Sequence, residues 1–458
     1  MDDKIDVYNK IFELIENKKF LELKQILSDM QPADIAEIFD DANTKDIPVI
    51  FRVLPKELAA EVFVNLESDM QQLLIDAFSD KELREVIDEL FMDDTVDIIE
   101  EMPATVAKRI LKHTDSDTRR MINQLLDYPE DSAGSIMTTE YIDLKKDMTV
   151  NEAFDRIRKI GIDTETIYSC YVISSRRKLI GTVSLRDLLL NDKDCVLSDL
   201  MDENVIAANT LDDKEDVALM FDKYDILALP VVDKENRLVG IITVDDVIDV
   251  IQEEATEDIE KMAAILPSDH SYFRTNVFET FKARIPWLLL LMISATFTGS
   301  IISGFENKIA IFPALVAFIP MLMDTGGNSG GQASVTIIRS MSMGDIEFKD
   351  IFKVIWKEVR VAFLCAVTLA SVNAVKLFLI DNLLLNNLDV GQATREIVVV
   401  CVTLFFSVIV AKLIGCILPI LAKKIGFDPA VMASPLITTI VDAVSLLIYF
   451  GIASLILM

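Results

Sequence analysis

The C-terminal stretch from Pro429 to Met458 reads PAVMASPLITTIVDAVSLLIYFGIASLILM, and its one charged residue is Asp442. The run is long enough to cross a bilayer, because a transmembrane helix needs roughly 20 apolar residues at about 1.5 Å of rise each. Asp442 would lie near the middle of that helix. An ionised side chain at this depth is costly unless it faces a partner or water, so Asp442 is a candidate cation-binding residue.

The apolar run ends a C-terminal half in which we predict five membrane spans. These lie at about Pro286–Phe305, Ile309–Met323, Val361–Ile380, Ile397–Leu421 and Ala430–Met458. Lys and Arg concentrate before the first span, between the second and third, and between the fourth and fifth, and such bases mark cytoplasmic flanks. The pattern predicts a cytoplasmic N-terminus and an outward C-terminus. Because five spans cannot form two equal inverted repeats, we expect a homodimer to complete the path.

A polar, glycine-rich segment, DTGGNSGGQ at positions 324–332, follows the second predicted span. It lacks the Gly-Lys-Ser/Thr of a phosphate-binding loop, so it does not predict nucleotide hydrolysis. Polar, irregular backbone at membrane depth is tolerated only where protein buries it or where it lines a wet cavity. Three interpretations stay open: close helix packing, an opened helix whose carbonyls face an ion, or a helix end at the surface.

The charge of the chain is concentrated in its first part. Of 74 acidic and 44 basic residues, 11 and 12 lie from Arg284 onward, which leaves a net charge of about −31 on residues 1–283. Such a surface repels nucleic acid and anionic lipid and attracts cations. The five cysteines form no CxxC pair, so neither a disulfide framework nor a zinc site is indicated. The start of the chain has no apolar signal segment, and we expect the acidic part in the cytoplasm.

Residues 1–131 read as an acidic domain of short amphipathic helices that repeat. Similar phrases recur about every 24 residues, at Gln31–Phe39, Pro55–Phe63 and Ser79–Ile87. This period predicts stacked helix pairs, an architecture that mostly binds or scaffolds.

Residues 132–256 alternate short β-branched strands with helices, and they do so twice. The segment Lys178–Leu188 matches Arg237–Val247, which lies 59 residues later. The tandem resembles a pair of CBS domains. In that family the turn residues, here Ser184 with Asp187 and Thr243 with Asp246, can hold an adenosyl nucleotide such as ATP, while many pairs bind none. The alternative is that each hydroxyl only caps a helix.

An acid-rich helix is predicted from Asp245 to about Ala264, and the segment 257–280 is predicted as a linker (plug) helix that leads into a membrane domain over 281–458. Its acids recur at spacings of three and four residues and form a stripe. Like charges at these spacings destabilise an isolated helix, so a bound cation would stabilise it. A solvated linker helix is the equal alternative.

The order of these parts resembles MgtE-type magnesium transporters or channels over the whole chain. In the membrane half the resemblance rests on Gly304-Phe305-Glu306, on Gly326-Gly327-Asn328 with Gln332, and on Asp428-Pro429-Ala430 followed by Pro435 and Asp442. The resemblance implies a multi-domain protein with an all-α repeat domain, an α/β CBS pair and a five-helix transmembrane domain. It is expected in the cell membrane as a multi-pass homodimer.

The resemblance also implies that Asp442 holds hydrated Mg²⁺ in a pore that the fifth helices line. Mg²⁺ prefers oxygen ligands and sheds water reluctantly, so carboxylates suit it. Residues expected beside the pore are Asp324, Gly326, Gly327, Asn328 and Pro435. Asp324 departs from the pattern as an additional acid before the glycines.

Members of the family regulate themselves through Mg²⁺ bound between their cytosolic parts. The acids that match the regulatory positions are Glu61, Asp93, Asp97, Asp213, Glu215, Asp225, Asp246, Asp249, Glu254, Glu257 and Asp258. We therefore expect a Mg²⁺ transporter or channel gated by cytosolic Mg²⁺. The alternative is a membrane-anchored cation or nucleotide sensor without transport. An enzyme is not predicted, because the sequence shows no nucleophile with its base and no paired catalytic histidines.

Overall fold

The structure is a computed structural model that describes residues 2–457 except 163, 269–271, 273–274, 307–312 and 384–389. The chain forms two compact units, Met1–Ile251 and Gln252–Met458.

The first unit begins with short helices that repeat every 24 residues. Helices α3, α5, α7 and α9 begin at positions 32, 56, 80 and 104, and each packs on the next of this series. The predicted period is confirmed, and the helix starts follow Gln31, Pro55 and Ser79 as expected. The described helices are α1 (Asp2–Glu16), α2 (Phe20–Ser28), α3 (Pro32–Asp41), α4 (Ile47–Val53), α5 (Lys56–Val64), α6 (Ser68–Ala77), α7 (Asp80–Ile87), α8 (Met92–Glu101), α9 (Ala104–His113) and α10 (Ser116–Leu125).

Two similar three-stranded sheets follow in the same unit. The sheet orders are β1-β2-β3 and β4-β5-β6, and in each the first pair is parallel and the second antiparallel. The middle and last strands of the two sheets start 59 residues apart, which is the repeat seen in the sequence. The elements are β1 (Asp143–Lys145), α11 (Val150–Ile160), β2 (Ser169–Ile173), β3 (Leu179–Ser184), α12 (Leu185–Leu190), β4 (Ala208–Asn209), α13 (Lys214–Tyr224), β5 (Ala228–Val232), β6 (Leu238–Thr243) and α14 (Val244–Met262).

The helical repeat and the second sheet share one hydrophobic core. Val96 of α8 and Ile122 of α10 lie in the same buried cluster as Leu229 of β5, Ile242 of β6 and Val247 of α14. This packing brings the start of α14 toward α8, although some 150 residues of chain separate the two helices.

The predicted acid-rich helix is confirmed as α14, which ends at Met262. The linker predicted as a helix over 257–280 is wrong between Met262 and Val277, where the described residues are not helical. Ala264 adopts a left-handed conformation with φ of 57°, and Pro267 follows, so the helix cannot continue. Residues 269–271 and 273–274 of this linker lie outside the described residues.

The second unit consists of long helices. Among the described residues, four segments are long and apolar enough to span a membrane: Val277–Gly304, Phe348–Leu379, Thr394–Lys424 and Pro429–Leu457. They agree with the first, third, fourth and fifth predicted spans. The helices are α15 (Val277–Gly304), α16 (Ile319–Ser342), α17 (Ile351–Leu383), α18 (Val390–Lys424) and α19 (Ser434–Leu457), and short 3-10 turns lie at Pro313–Phe318, Phe348–Asp350 and Pro429–Met432.

The second predicted span has the wrong limits. We expected Ile309–Met323 followed by irregular backbone, whereas α16 begins at Ile319 and continues through the glycine-rich segment to Ser342. The start of the predicted span, up to residue 312, lies outside the described residues. The helix persists because its glycines let α18 and α19 approach closely, so that tertiary packing outweighs the poor helix propensity of glycine.

The glycines of α16 make a tight interface. A methyl group at Gly327 would lie 2.8 Å from Thr438 of α19, and one at Gly330 would lie 2.9 Å from Ile437. Gly415 of α18 is closer still, because a methyl group there would collide with the carbonyl oxygen of Gly330. Of the open interpretations, close helix packing is the one that the structure confirms.

We call the second unit, Gln252–Met458, the membrane unit. Replacing Gly415 by Ala should destabilise the membrane unit by about 3 kcal/mol, since the collision involves backbone that cannot move aside. Gly451→Ala in α19 is the matched control, because among the described residues nothing beyond its own stretch of helix lies within 4 Å of the added methyl group. Ala has a higher helix propensity than Gly, so propensity alone predicts a gain in stability from both substitutions. Thermal aggregation of the detergent-purified variants measures the difference, and equal melting temperatures would contradict the close approach.

Candidate functional site

Asp442 lies in the first half of α19, eight residues after the helix begins. Its side chain is half-buried, and its Oδ1 atom is buried without a hydrogen-bond partner among the described residues. Asp324 of α16 is close enough to act on Asp442 electrostatically. The two predicted acids of the membrane unit therefore lie near each other, and an orphaned carboxylate oxygen there is a ready ligand for a cation or its water.

The packing of α16 on α19 fixes where Asp442 lies. Gly326 faces Val441 and Ser445, the neighbours of Asp442 on α19, at distances that leave no room for a side chain. Asn328 is exposed on another face of α16, and Pro435 is the second residue of α19. The predicted pore-associated residues thus lie on two helices that pack directly together.

A cluster of acids forms in the first unit around the start of α14. Asp93 of α8 is only 7% exposed, and it is influenced electrostatically by Asp246 of α14, Asp94 and Glu165. Glu140 joins the edge of the group, where its Oε2 atom accepts a hydrogen bond of 2.9 Å from the backbone N–H of Met92. We call Asp93, Asp94, Asp97, Glu140, Glu165 and Asp246 the acid cluster.

Burial and mutual repulsion raise the pKa values of the acid cluster. Desolvation, with the charges of Asp246 and other acids, raises the pKa of Asp93 well above its usual value. The same causes raise the pKa of Asp94 to about 6 and that of Glu165 to about 8. Asp97 lies at the exposed rim, where partial desolvation and the charges of Asp246 and Asp94 raise its pKa to about 7. Burial also raises the pKa of Asp246 to about 6.

The acid cluster fits a hydrated divalent cation. Glu165 Oε2 is buried without a hydrogen-bond partner among the described residues, as expected for an oxygen that awaits a ligand. Among the described residues, however, no three acid, histidine or cysteine side chains converge as direct metal ligands would. Magnesium keeps much of its water in proteins, so carboxylates grouped at longer range suit it.

Other predicted regulatory acids lie outside the acid cluster. Glu61 is exposed on α5, and Asp249 is exposed on α14. Asp213 and Asp225 lie at opposite ends of α13, as its N-cap and its left-handed C-cap, so an 11-residue helix separates them. Glu215 donates its backbone N–H to Asp213. Within one chain, α13 does not bring Asp213 and Asp225 to one ion.

The last turns of α14 are fixed to the membrane unit by polar contacts. Asp258 Oδ2 accepts a hydrogen bond of 2.9 Å from Ser342 at the end of α16. Lys261 Nζ lies 2.5 Å from Glu257 and 2.7 Å from Asp428, which precedes α19. Burial opposes the charge of Lys261, but its hydrogen bonds to Asp428 and Glu257 raise its pKa.

Glu254 is half-buried one turn before Asp258 on the same helix. A single helix therefore carries Asp246 near its start and a bonded group of charges at its end.

The predicted nucleotide residues form local hydrogen bonds at the starts of two helices. Ser184 accepts a hydrogen bond from the backbone N–H of Asp187, whose carboxylate accepts from the Ser184 hydroxyl and backbone N–H, forming a capping box. Thr243 donates both its hydroxyl and its backbone N–H to Asp246. The capping interpretation is confirmed for the Ser184 hydroxyl, and nucleotide binding stays a prediction.

Sequence reasoning missed three members of the acid cluster. Asp94 adjoins Asp93 and could have been found from that position, but Glu140 and Glu165 lie in loops of the first sheet domain without any motif. Only long-range packing reveals them.

Family comparisons assign the parts of the chain. Residues 319–452 match the MgtE divalent cation transporter model, residues 30–131 match the MgtE intracellular N domain, and residues 133–193 and 197–253 match CBS domains. The magnesium transporter MgtE of Thermus thermophilus is 35% identical over 100% of this chain and 99% of its own length. That of Bacillus subtilis is 33% identical over 97% of this chain and 96% of its own length.

Solved structures resemble about half of this chain. The cytosolic domain of the Mg²⁺ channel MgtE in complex with ATP is 35% identical, with a TM-score of 0.51 over 53% of this chain and 99% of that chain. The soluble part of a magnesium transporter is 30% identical, with a TM-score of 0.52 over 55% of this chain and 99% of that chain. Because full-length relatives and all three domain models agree with the observed fold, this chain belongs to the MgtE family of divalent cation transporters.

Proposed function

We propose that this chain is a multi-pass membrane protein that transports Mg²⁺ and that Asp442 lines its ion path. The observation that carries the proposal is the buried, unpartnered Oδ1 atom of Asp442 inside an apolar helix. The relatives over the full length are magnesium transporters, which supports the same ion. An enzymatic role has no support in the family.

The chemistry of the site suits Mg²⁺. A carboxylate acting through retained water attracts a hard dication without stripping its hydration shell. The two histidines of the chain, His113 and His270, both precede the membrane spans, so the membrane site offers oxygen donors rather than imidazole. Selection of zinc or nickel by imidazole ligands is therefore disfavoured.

We propose a homodimer in which two Asp442 side chains face one path, with the N-terminus in the cytoplasm and the C-terminus outside. The placement of Lys and Arg between the spans supports this orientation. An impermeant label should react with a tag fused after Met458 on intact cells. A tag that reacts only after permeabilisation would contradict the topology.

Uptake by a transport-deficient cell tests the proposed function most directly. Cells that lack their own magnesium uptake should grow at low external Mg²⁺ when they express this chain. Purified protein in liposomes should carry Mg²⁺ down its gradient. A correctly inserted protein that supports neither result would contradict transport and favour a sensor.

Cytosolic Mg²⁺ is proposed to close the path through the acid cluster. Asp93, Asp97 and Asp246 would hold the ion, which supplies the positive charge that cancels their mutual repulsion. Two like charges at about 4 Å repel by about 4 kcal/mol at an effective dielectric constant near 20. Since α14 carries Asp246 at one end and Asp258 at the other, its position is suited to couple cation binding to the membrane helices.

An adenosyl nucleotide is proposed as a second ligand, at the turns of Ser184, Asp187 and Thr243. The support is the solved ATP complex of a similar cytosolic domain. Binding would compete with the capping bonds that these residues now form.

Without divalent cations, the protein should lose stability as pH rises from about 4 to about 8. Carboxylates with raised pKa values keep protons in the folded state that the unfolded chain releases, so the unfolded state binds fewer protons in this window. The relevant values run from about 6 for Asp94 and Asp246 to about 8 for Glu165. Thermal unfolding in detergent with a chelator measures this slope.

Saturating Mg²⁺ should flatten the pH dependence, because a bound cation favours the ionised acids. Asp246→Asn should also flatten it, whereas Asp192→Asn, at an exposed acid outside the cluster, should not. A stability that rises with pH over this window would contradict the assignment.

A further inference from the structure

A stripe of polar side chains runs along α16 on the side away from its glycine contacts. Asp324, Asn328, Gln332 and Thr336 recur every four residues, and all four are exposed in the chain. Residues at this spacing share one face of a helix. The opposite face carries Gly326 and its neighbours, which pack on α19. The stripe is therefore a hydrophilic surface within the membrane unit that helix packing leaves open.

Part of this stripe lines a cavity of about 820 Å³ between α16, α17 and α18. Asn328, Gln332 and Thr336 contribute from α16, Glu358 from α17 and Lys412 from α18. The lining thus includes amide and hydroxyl groups together with one charge of each sign.

Glu358 and Lys412 are the unusual members of the lining. They are only 9% and 5% exposed, although both normally carry a charge. The two side chains do not form an ion pair, and within the described residues neither has a hydrogen-bond partner. Both side chains line the cavity. A charge that is buried without a protein partner needs water or an ion as its partner.

The cavity has room for a hydrated divalent cation. Six waters at about 30 Å³ each occupy roughly 180 Å³, well below the cavity volume. The carboxylate of Glu358 and the side-chain oxygens of Asn328, Gln332 and Thr336 are acceptors for the waters of such an ion. Lys412 opposes binding of the cation, because a fixed positive charge in the same cavity repels a cation.

We propose that this cavity is a second position for the transported cation, separate from Asp442, and that Lys412 weakens binding there so that the ion is released. The proposal rests on the proposed Mg²⁺ transport and adds a residue that sets the affinity of the path. Conduction requires sites that attract an ion but do not hold it. Glu358 attracts the ion, and the repulsion from Lys412 keeps the ion from being held.

Removing the positive charge tests this role in proteoliposomes. Lys412→Gln should lower the Mg²⁺ concentration for half-maximal uptake by about tenfold, the size expected when one like charge near the ion is removed, and should reduce maximal uptake. Lys412→Arg keeps the charge and should resemble the parent. The double variant Glu358→Gln with Lys412→Gln should lose the tight binding, because the attracting carboxylate is gone.

A thiol-labelling measurement gives a readout independent of transport. In a background without the five native cysteines, Thr336→Cys should react with water-soluble charged reagents. Adding Lys412→Gln should shift the ratio of cationic to anionic labelling rates upward by about tenfold.

The outcomes separate the two proposals. A parent without Mg²⁺ flux contradicts the proposed function, while the labelling still tests the cavity. A parent with flux whose Lys412→Gln variant has unchanged Mg²⁺ dependence and labelling ratio overturns the role of Lys412. A Thr336→Cys protein that does not react with either reagent overturns the hydrated cavity. If Lys412→Gln fails to insert, Lys412→Met gives the same removal of charge.

Discussion

Asp442→Asn is expected to reduce Mg²⁺ uptake by roughly a hundredfold or more, because the ion path then loses the charge that attracts the ion. Asn has nearly the shape of Asp, so the packing of Val441 and Ser445 on Gly326 should persist. The buried Oδ1 atom of Asp442 has no protein partner to lose among the described residues. The substitution therefore removes charge and little else.

Asp345→Asn is the matched control for this experiment. Asp345 is an exposed acid of the same unit, in the loop after α16. Uptake of Mg²⁺ into proteoliposomes should be unchanged for this variant. Both proteins should elute as the parent does in size-exclusion chromatography, which establishes that they are folded. Undiminished flux through a folded Asp442→Asn protein would rule out the assignment of the ion path.

Neutralising the acid cluster is expected to abolish inhibition by internal Mg²⁺. The variant carries Asp93→Asn with Asp246→Asn, which removes the most buried member and the acid that influences Asp93, Asp94, Asp97 and Glu165. Asn at position 246 can still accept the hydrogen bonds from Thr243, so these contacts at the start of α14 should persist. The measured quantity is flux as a function of internal Mg²⁺.

Removing these charges also removes their repulsion, so the variant could rest in either an open or a closed state. The decisive observation is therefore the loss of Mg²⁺ dependence, whatever the level of flux. A ligand shifts a conformational equilibrium only by its differential affinity, and the variant has lost that difference. If flux still falls over the parent's range of internal Mg²⁺, the acid cluster is a solvated surface and sensing lies elsewhere.

A second variant separates sensing from the contacts at the end of α14. Glu257→Gln with Asp258→Asn weakens the bonds to Lys261 and Ser342 without touching the acid cluster. We expect this variant to bind Mg²⁺ at the acid cluster as the parent does. The effect of that binding on Mg²⁺ flux should change. The control for the loss of two charges is Asp192→Asn with Asp202→Asn. Both acids are exposed and lie between α12 and β4.

Local sequence determined most of the architecture. Apolar runs predicted four of the long helices, because burial in lipid needs length and composition alone. The 24-residue and 59-residue repeats predicted the stacked helices and the paired sheets, since each repeat is one folding unit with its own pattern. Asp442 was predicted as a site residue from its isolation in an apolar run, which is a property of the sequence itself.

Tertiary structure decided the sites that several segments build. Asp93 and Asp246 meet because the core of α8 and α10 is continuous with that of the second sheet domain, and Glu165 enters the same cluster from a loop. The glycine segment of α16 stays helical because neighbouring helices press against it. Glu358 and Lys412 line the same cavity, although 53 residues separate them in the sequence. Sequence periodicity indicates which residues share a face of one helix or strand. The distance between faces of different elements is set by tertiary packing, and the interaction of charged side chains depends on that distance.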